Sequence, residues 1–232
     1  MILRRILPLI AAVLLMSVVL MARTQAKGAL TLDVILQQLD DNARDYHSMT
    51  ANVDRTKVTV VVNDKSTESG KIWARGDNMR IDLASPDSRT ILRRGDRLYI
   101  YTPGLKRVEE YDLGKHRDMV DQFLLLGFGT SGKDLRKPYL VTLLGEDTLD
   151  GHKAAWLELT PKSEQVRNQF SKIQLWVDET SWLPLQQKFF ETGSGDYFII
   201  HYSNVVRNSK IDDAHFKPDW PAGTVKFTPP VQ

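Results

Sequence analysis

The 232 residues contain no cysteine. A chain exported without cysteine has no disulfide framework and must rely on its core for stability. The lack of cysteine also rules out a thioether-linked lipid anchor on this chain. Charge of one sign is equally scarce. The 31 basic and 29 acidic residues give +2, and three of the basic ones (Arg4, Arg5, Arg23) lie in the first 26 residues. The remainder is expected to carry −1, so there is no basic face of the kind that nucleic-acid binding requires. No apolar run reaches the roughly 20 residues of a spanning helix. Catalytic signatures are missing as well. His47, His116, His152, His201 and His215 are scattered without metal-ligand spacing, no GxSxG elbow occurs, and no carboxylate pair stands out. Neither an enzyme nor a bound cofactor or metal is expected.

The chain opens on a targeting pattern. Arg4 and Arg5 precede the apolar run from Ile6 to Met21, and Thr24-Gln25-Ala26 offers a small-residue cleavage site. Residues 1–26 are therefore expected to be a signal peptide cleaved near Ala26, with an uncleaved anchor as the alternative. Residues 27–232 are long enough for one sizeable domain. No linker or repeat divides them.

The stretch Gly70 to Pro103 is the centre of that domain. Short alternating apolar runs end at Arg75-Gly76-Asp77-Asn78, Ser85-Pro86-Asp87, Arg94-Gly95-Asp96 and Pro103-Gly104, the pattern of an antiparallel meander. Before it, Leu32, Ile35, Leu36, Leu39, Ala43 and Tyr46 form the stripe of an amphipathic helix with Thr31 as its cap. Met49–Val62 reads as a long first strand that turns at Asn63-Asp64-Lys65-Ser66. Strands resume after Tyr139, giving about ten in all. The residues from Ile211 to Val231 read as an extended tail along an edge. Between the two groups of strands, Leu113 to Pro138 is a mixed insertion, and such long connections are often lids or binding loops. Its Gly127-Phe128-Gly129-Thr130-Ser131-Gly132-Lys133 satisfies GxGxxG and GxxxxGK. Asp134 replaces the Mg²⁺-binding hydroxyl residue, and Pro138 stops the helix that a phosphate loop must open. It is read as a loop.

Several strands are apolar on both faces. Phe198, Ile200 and Tyr202 oppose Tyr197 and Ile199, and Ala155, Leu157 and Leu159 oppose Trp156. A sheet with one wet face would alternate apolar with polar. The second face must meet helices, a lid or an apolar ligand.

Read in order, Arg75-Gly76-Asp77-Asn78-Met79-Arg80-Ile81-Asp82, Arg94-Gly95-Asp96-Arg97-Leu98-Tyr99-Ile100-Tyr101-Thr102-Pro103, Leu175-Trp176-Val177-Asp178 with Leu183-Pro184, and Pro221-Ala222-Gly223-Thr224 resemble the motifs of the periplasmic lipoprotein carriers, the LolA family. The resemblance covers nearly all of the chain after the targeting segment. It implies a mainly β (α+β) fold, a single highly curved antiparallel sheet forming an incomplete barrel, closed by the N-terminal helix and a mid-chain helical lid at about 113–138. It further implies a monomeric carrier in the periplasm. Such a carrier takes acylated lipoproteins or other lipids from an inner-membrane release complex to an outer-membrane receptor. The lid latch would be Arg75 or Arg80. Candidate cavity residues are Trp73, Met79, Ile81, Leu83, Leu98, Ile100, Trp156 and Trp176. Candidate lid residues are Met119, Val120, Phe123, Leu124, Leu125 and Phe128. Gly76 stands where the family has proline, and Ile81 where it has tryptophan. The alternatives are a related half-barrel that binds lipid or glycolipid or senses envelope state, and a solid-core β-rich domain.

Overall fold

The computed structural model describes residues 30–85, 88–114, 123 and 126–229. Helix α1 (Leu32–Arg44) starts where Thr31 Oγ1 accepts from the Val34 amide at 3.4 Å, and it buries Ile35, Leu36 and Leu39. The stripe recurs at helical spacings (Leu32, Ile35 and Leu36, Leu39, Ala43, Tyr46), so one face docks and the other stays wet.

Twelve strands then form one open sheet. The first meander comprises β1 (Ser48–Thr59), β2 (Asp64–Arg75), β3 (Asn78–Ser85), β4 (Arg89–Arg94), β5 (Arg97–Thr102) and β6 (Arg107–Asp112). After the short helix α2 (Gly132–Arg136) comes β7 (Tyr139–Leu149), then β8 (His152–Pro161) and the one-turn α3 (Glu164–Arg167). β9 (Phe170–Asp178), β10 (Pro184–Glu191) and β11 (Tyr197–Arg207) complete the second meander. The chain ends in β12 (Val225–Phe227). The sheet order is β12-β6-β5-β4-β3-β2-β1-β11-β10-β9-β8-β7, antiparallel throughout except for β12 beside β6. Two meanders therefore meet at one seam, where β1 pairs with β11 from Met49–Arg207 to Val58–Tyr197. The two end strands do not pair with each other, so the barrel is incomplete. This is the LolA-like open half-barrel.

Three expectations are adjusted. The first hairpin turns at Val60–Val62 and Asn63, because Asn63 takes the left-handed conformation (φ 51°) and lets β2 start at Asp64. The three valines are exposed rather than part of the strand. The tail does more than follow an edge. Ile211 and Phe216 bury against Leu92, with Trp73, Tyr99 and Trp220 packed around them, and only then does the chain add β12 to the sheet. Third, the glycines of 127–133 serve close approach. A Cβ on Gly129 would lie 2.3 Å from the Tyr46 ring, and one on Gly132 would lie 2.3 Å from the Leu36 carbonyl oxygen.

Strand register sorts the side chains. Met79, Ile81 and Leu83 share the inner face with Ala74 and Ile72 of β2, with Ala51, Val53 and Arg55 of β1, and with Phe198, Ile200 and Tyr202 of β11. On this inner face Met49, Ala51, Val53, Ile72, Ala74, Met79, Leu83 and Tyr202 form a buried cluster with Phe128 and Leu183. Trp73, Arg80, Leu92 and Tyr99 point to the outer face, which the tail covers. Among the described residues, no helix is long and apolar enough to cross a membrane.

Candidate functional site

The inner face does not fill completely. A hollow of about 200 Å³ remains beside the buried cluster. From the first meander and the seam, Val53 and Arg55 (β1), Ile81 and Leu83 (β3) and Ile91 (β4) line it. Across from them stand Phe170, Phe189, Phe198, Ile200 and Tyr202 of β9, β10 and β11, with Phe123 of the insertion. The four phenylalanines form one aromatic floor. Phe189 and Phe198 stack at 4.6 Å, Phe170 meets both edge-on at 5.5 and 5.7 Å, and Phe123 meets Phe170 edge-on at 5.3 Å. Offset and edge contacts of this kind are favourable without closing every gap. The hollow offers apolar area and almost nothing that could bind a polar solute.

One end of the insertion is tied down beside it. Gln187, fully buried, donates from Nε2 to the Leu126 carbonyl at 2.5 Å, and the Tyr202 hydroxyl donates to Gln187 Oε1 at 3.3 Å. Burial pushes the Tyr202 phenol well above its ordinary pKa, so it stays a neutral donor. Phe128 stands edge-on to the Tyr202 ring at 4.8 Å. Beyond it the Lys133 amide donates to Asp40 at 3.1 Å and Arg136 pairs with Asp33 at 2.8 Å, fixing α2 to α1.

The expected site residues divide. Ile81 and Leu83 line the hollow. Met79 is fully buried in the cluster next to it. Leu98 and Ile100 lie on the inner face opposite Arg93 and Ile91, outside the lining. Trp73, Trp156 and Trp176 are corrections. Trp73 stacks on His215 at 4.9 Å beneath the tail, and Trp156 stacks on Trp176 at 5.5 Å on the outer face, where Trp176 Nε1 donates to Asp147 at 2.8 Å. Their indoles have outer-face parity, which alternation dictates once Leu157 and Leu175 point inward. Phe123 and Phe128 both pack on the inner face. Met119, Val120, Leu124 and Leu125 lie outside the described residues.

Both expected latch arginines reach the tail. Arg75 Nη1 donates to the Ile211 carbonyl at 2.9 Å, Nη2 pairs with Asp213, and the guanidinium lies 5.2 Å over the Phe216 ring. Arg75 holds the Asp213 carboxyl below the usual range. Arg80 bonds Asp82 at 2.9 Å and reaches the His215 carbonyl at 3.4 Å. Its alternation with Met79 and Ile81 puts it on the outer face.

The sequence pattern did not single out Arg55 and its neighbours. Arg55 Nη1 donates to Glu68 at 3.1 Å, Arg89 Nη2 donates to both Glu68 oxygens at 2.5 Å, and Arg55 lies 4.8 Å over the Phe198 ring. Phe170, Phe189 and Val53 were also missed. Their signal was the inner-face parity with Leu83 and Ile200, readable only once the β1–β11 register is known.

A second depression, about 510 Å³, lies near the β8–β9 and β10–β11 ends. Its polar lining includes His152 paired with Asp178 at 2.8 Å, and Asp150 there pairs with His201 at 2.8 Å. Among the described residues no group of three or more His, Cys, Asp or Glu could hold a metal. The wider depression is thus the wetter one, and the apolar hollow is the candidate site.

Comparisons with known proteins give relatives by sequence and by fold. A family model described as "Uncharacterized protein" matches residues 84–214. The chain is 26% identical over 202 residues to an outer-membrane lipoprotein carrier protein of Dechloromonas aromatica, covering 84% of each. That similarity bears out the resemblance to the carrier family read from the sequence motifs. It is 29% identical over 131 residues to an uncharacterized protein of Methanocaldococcus jannaschii, covering 56% of this chain but only 35% of that protein, so the chain spans about a third of that relative's length. The crystal structure of an uncharacterized conserved protein from Thermus thermophilus superposes with a TM-score of 0.56 at 11% identity, covering 85% of this chain and 98% of that one. That last likeness is one of fold.

Proposed function

We propose, for a chain that belongs to the family of uncharacterized proteins whose model spans residues 84–214, the function of an exported carrier that binds acyl chains in the inner-face hollow. In this reading it works in the periplasm after loss of residues 1–26. It takes acylated lipoproteins from an inner-membrane release complex to an outer-membrane receptor, and it acts by binding rather than catalysis. The insertion at about 113–138 covers the hollow as a lid through Phe123 and Phe128. The observation that carries the reading is the aromatic and aliphatic lining of the hollow, with Arg55 as its one charge among the described residues. The similarity to the Dechloromonas carrier supports it.

The energetics suit the task. Each buried methylene of an acyl chain is worth about 0.8 kcal/mol, so a 16-carbon chain gains roughly 12 kcal/mol. A carrier must offer a large share of that and still release the chain. A hollow left open beside packed rings achieves this better than a tightly filled slot.

The test is release of a radiolabelled acylated lipoprotein from inner-membrane vesicles by the purified protein. A soluble one-to-one complex is expected. Uptake of free lipid without any lipoprotein would instead favour the second reading, a half-barrel that binds smaller lipids. The volume favours that reading to this extent: about 200 Å³ is below the roughly 300–1,000 Å³ of ordinary ligand sites, so the hollow suits one chain segment.

A further inference from the structure

The charged residues at the end of the hollow are unbalanced. Arg55 and Arg89 converge on Glu68 from strands on either side of it, and Glu68 is 9% exposed. A purely structural cross-strand ion pair needs one cation for one carboxylate. Here two guanidiniums share one, which leaves a net positive charge against apolar walls, where the field is weakly screened. The donors are also in excess. A guanidinium has five N–H groups, and the buried Nε of Arg89 finds no acceptor among the described residues. The two side chains are about one-third exposed, at 32% and 33%. They are reachable from outside, yet Arg55 already touches the aromatic floor through Phe198.

Strand parity places this arrangement beside the hollow, whose lining includes Arg55. Arg55 follows Val53 along the inner face of β1, and Arg89 precedes Ile91 along that of β4. An apolar chain lying along Ile81, Ile91 and Ile200 would end within reach of both guanidiniums.

We infer that the ligand is an anionic amphiphile. Its apolar chain lies in the hollow, and a carboxylate or phosphate beside the chain is bound by Arg55 and Arg89, with Glu68 holding the two arginines apart and oriented. Planar guanidiniums bind such oxyanions in bidentate fashion. The inference rests on the acyl-binding reading of the hollow and adds the charge of the group next to the chain.

The experiment is displacement of the neutral probe N-phenyl-1-naphthylamine by octyl phosphate, octanoate, octyl glucoside and octyltrimethylammonium, with inorganic phosphate as a fifth competitor. The two anionic amphiphiles should bind about tenfold or more tighter than the glucoside, as expected of one or two charge-assisted hydrogen bonds. Arg55→Gln and Arg89→Gln should each remove most of that preference. A thermal unfolding midpoint like that of the wild type shows that the variants are folded. Glu68→Gln frees both arginines and should strengthen the preference. Inorganic phosphate alone should displace nothing, because the chain supplies most of the affinity. Equal binding of anionic and neutral octyl ligands, or a preference for the ammonium, overturns the inference and leaves the acyl-binding reading standing. Displacement by inorganic phosphate overturns the amphiphile in favour of a free anion. Failure of every octyl ligand overturns both readings.

Discussion

Gln187 sits where a leucine would be expected by pattern alone, two residues before Phe189 on the inner face of β10. Its amide is fully buried and serves the Leu126 carbonyl and the Tyr202 hydroxyl at once. Replacing it by leucine strands both partners, at about 1–3 kcal/mol for each unsatisfied group. Gln187→Leu should therefore lower stability by a few kcal/mol in urea unfolding and speed amide exchange at residues 126–128 beyond the global effect. Unchanged exchange there would show that the bond does not hold the insertion. Arg75 is the other informative residue. Family resemblance pointed to a lid latch, whereas its described bonds go to Ile211 and Asp213. The sequence could not show this, because the contact spans more than 130 positions and a turn arginine carries no mark of its partner. Arg75→Leu should leave acyl loading intact and loosen residues 211–216, and the Asp213 carboxyl should titrate closer to its ordinary value. The sign follows from a folded-state pKa held low: the contribution is complete above the usual carboxylate pKa of about 3.9 and is lost as pH falls through the lower folded value. Exchange at 211–216 that rises only at the acid end, and does so less in the variant, is the expected profile. A wild-type profile flat to the lowest pH would contradict the pairing.

At the scale of elements, the chain was readable wherever local chemistry decides the outcome. α1 has its cap and stripe, and β3 and β5 have their turns at Gly76 and Gly95, while Pro86 and Asp87 of the expected breaker lie outside the described residues. The hairpin after β1 was misplaced because Val60–Val62 continue a strand pattern, and only Asn63 in the left-handed region reveals the turn. β12 is three residues long and depends on β6 for its pairing, so nothing in its own sequence announces it. The glycine-rich segment was read as a loop rather than a phosphate site, and two of its glycines are explained by what they touch. At Gly132 the backbone comes against Leu36, and an added methyl would meet the carbonyl at 2.3 Å. Gly132→Ala should cost about 1–3 kcal/mol, the usual cost of overpacking, measured by thermal or urea unfolding. A neutral effect would mean that α2 can withdraw from α1.

For the whole molecule, two meanders side by side make a sheet with an inner and an outer face, and each face is covered differently. The tail covers the outer face of the first meander, while the inner face keeps a hollow next to its buried cluster. The sequence announced this as strands apolar on both sides, and it correctly implied a single curved sheet. It could not say which face was which. That depends on the β1–β11 register, fixed by residues some 150 positions apart, and a shift by one would exchange every side chain between faces. This is why Ile81 and Leu83 stand on the inner face beside the hollow, whereas Trp156 and Trp176 stand on the outer face.

The most direct test of the central claim, an acyl chain in the inner-face hollow, is a fluorescence titration with cis-parinaric acid on three proteins. The wild type should bind it. Ile200→Asp, which puts a charge into the hollow, should weaken binding by about tenfold or more, the equivalent of roughly 1.4 kcal/mol. Trp156→Phe, on the outer face, should bind as the wild type does. No binding by the wild type, or binding that survives Ile200→Asp and fails in Trp156→Phe, would contradict the account.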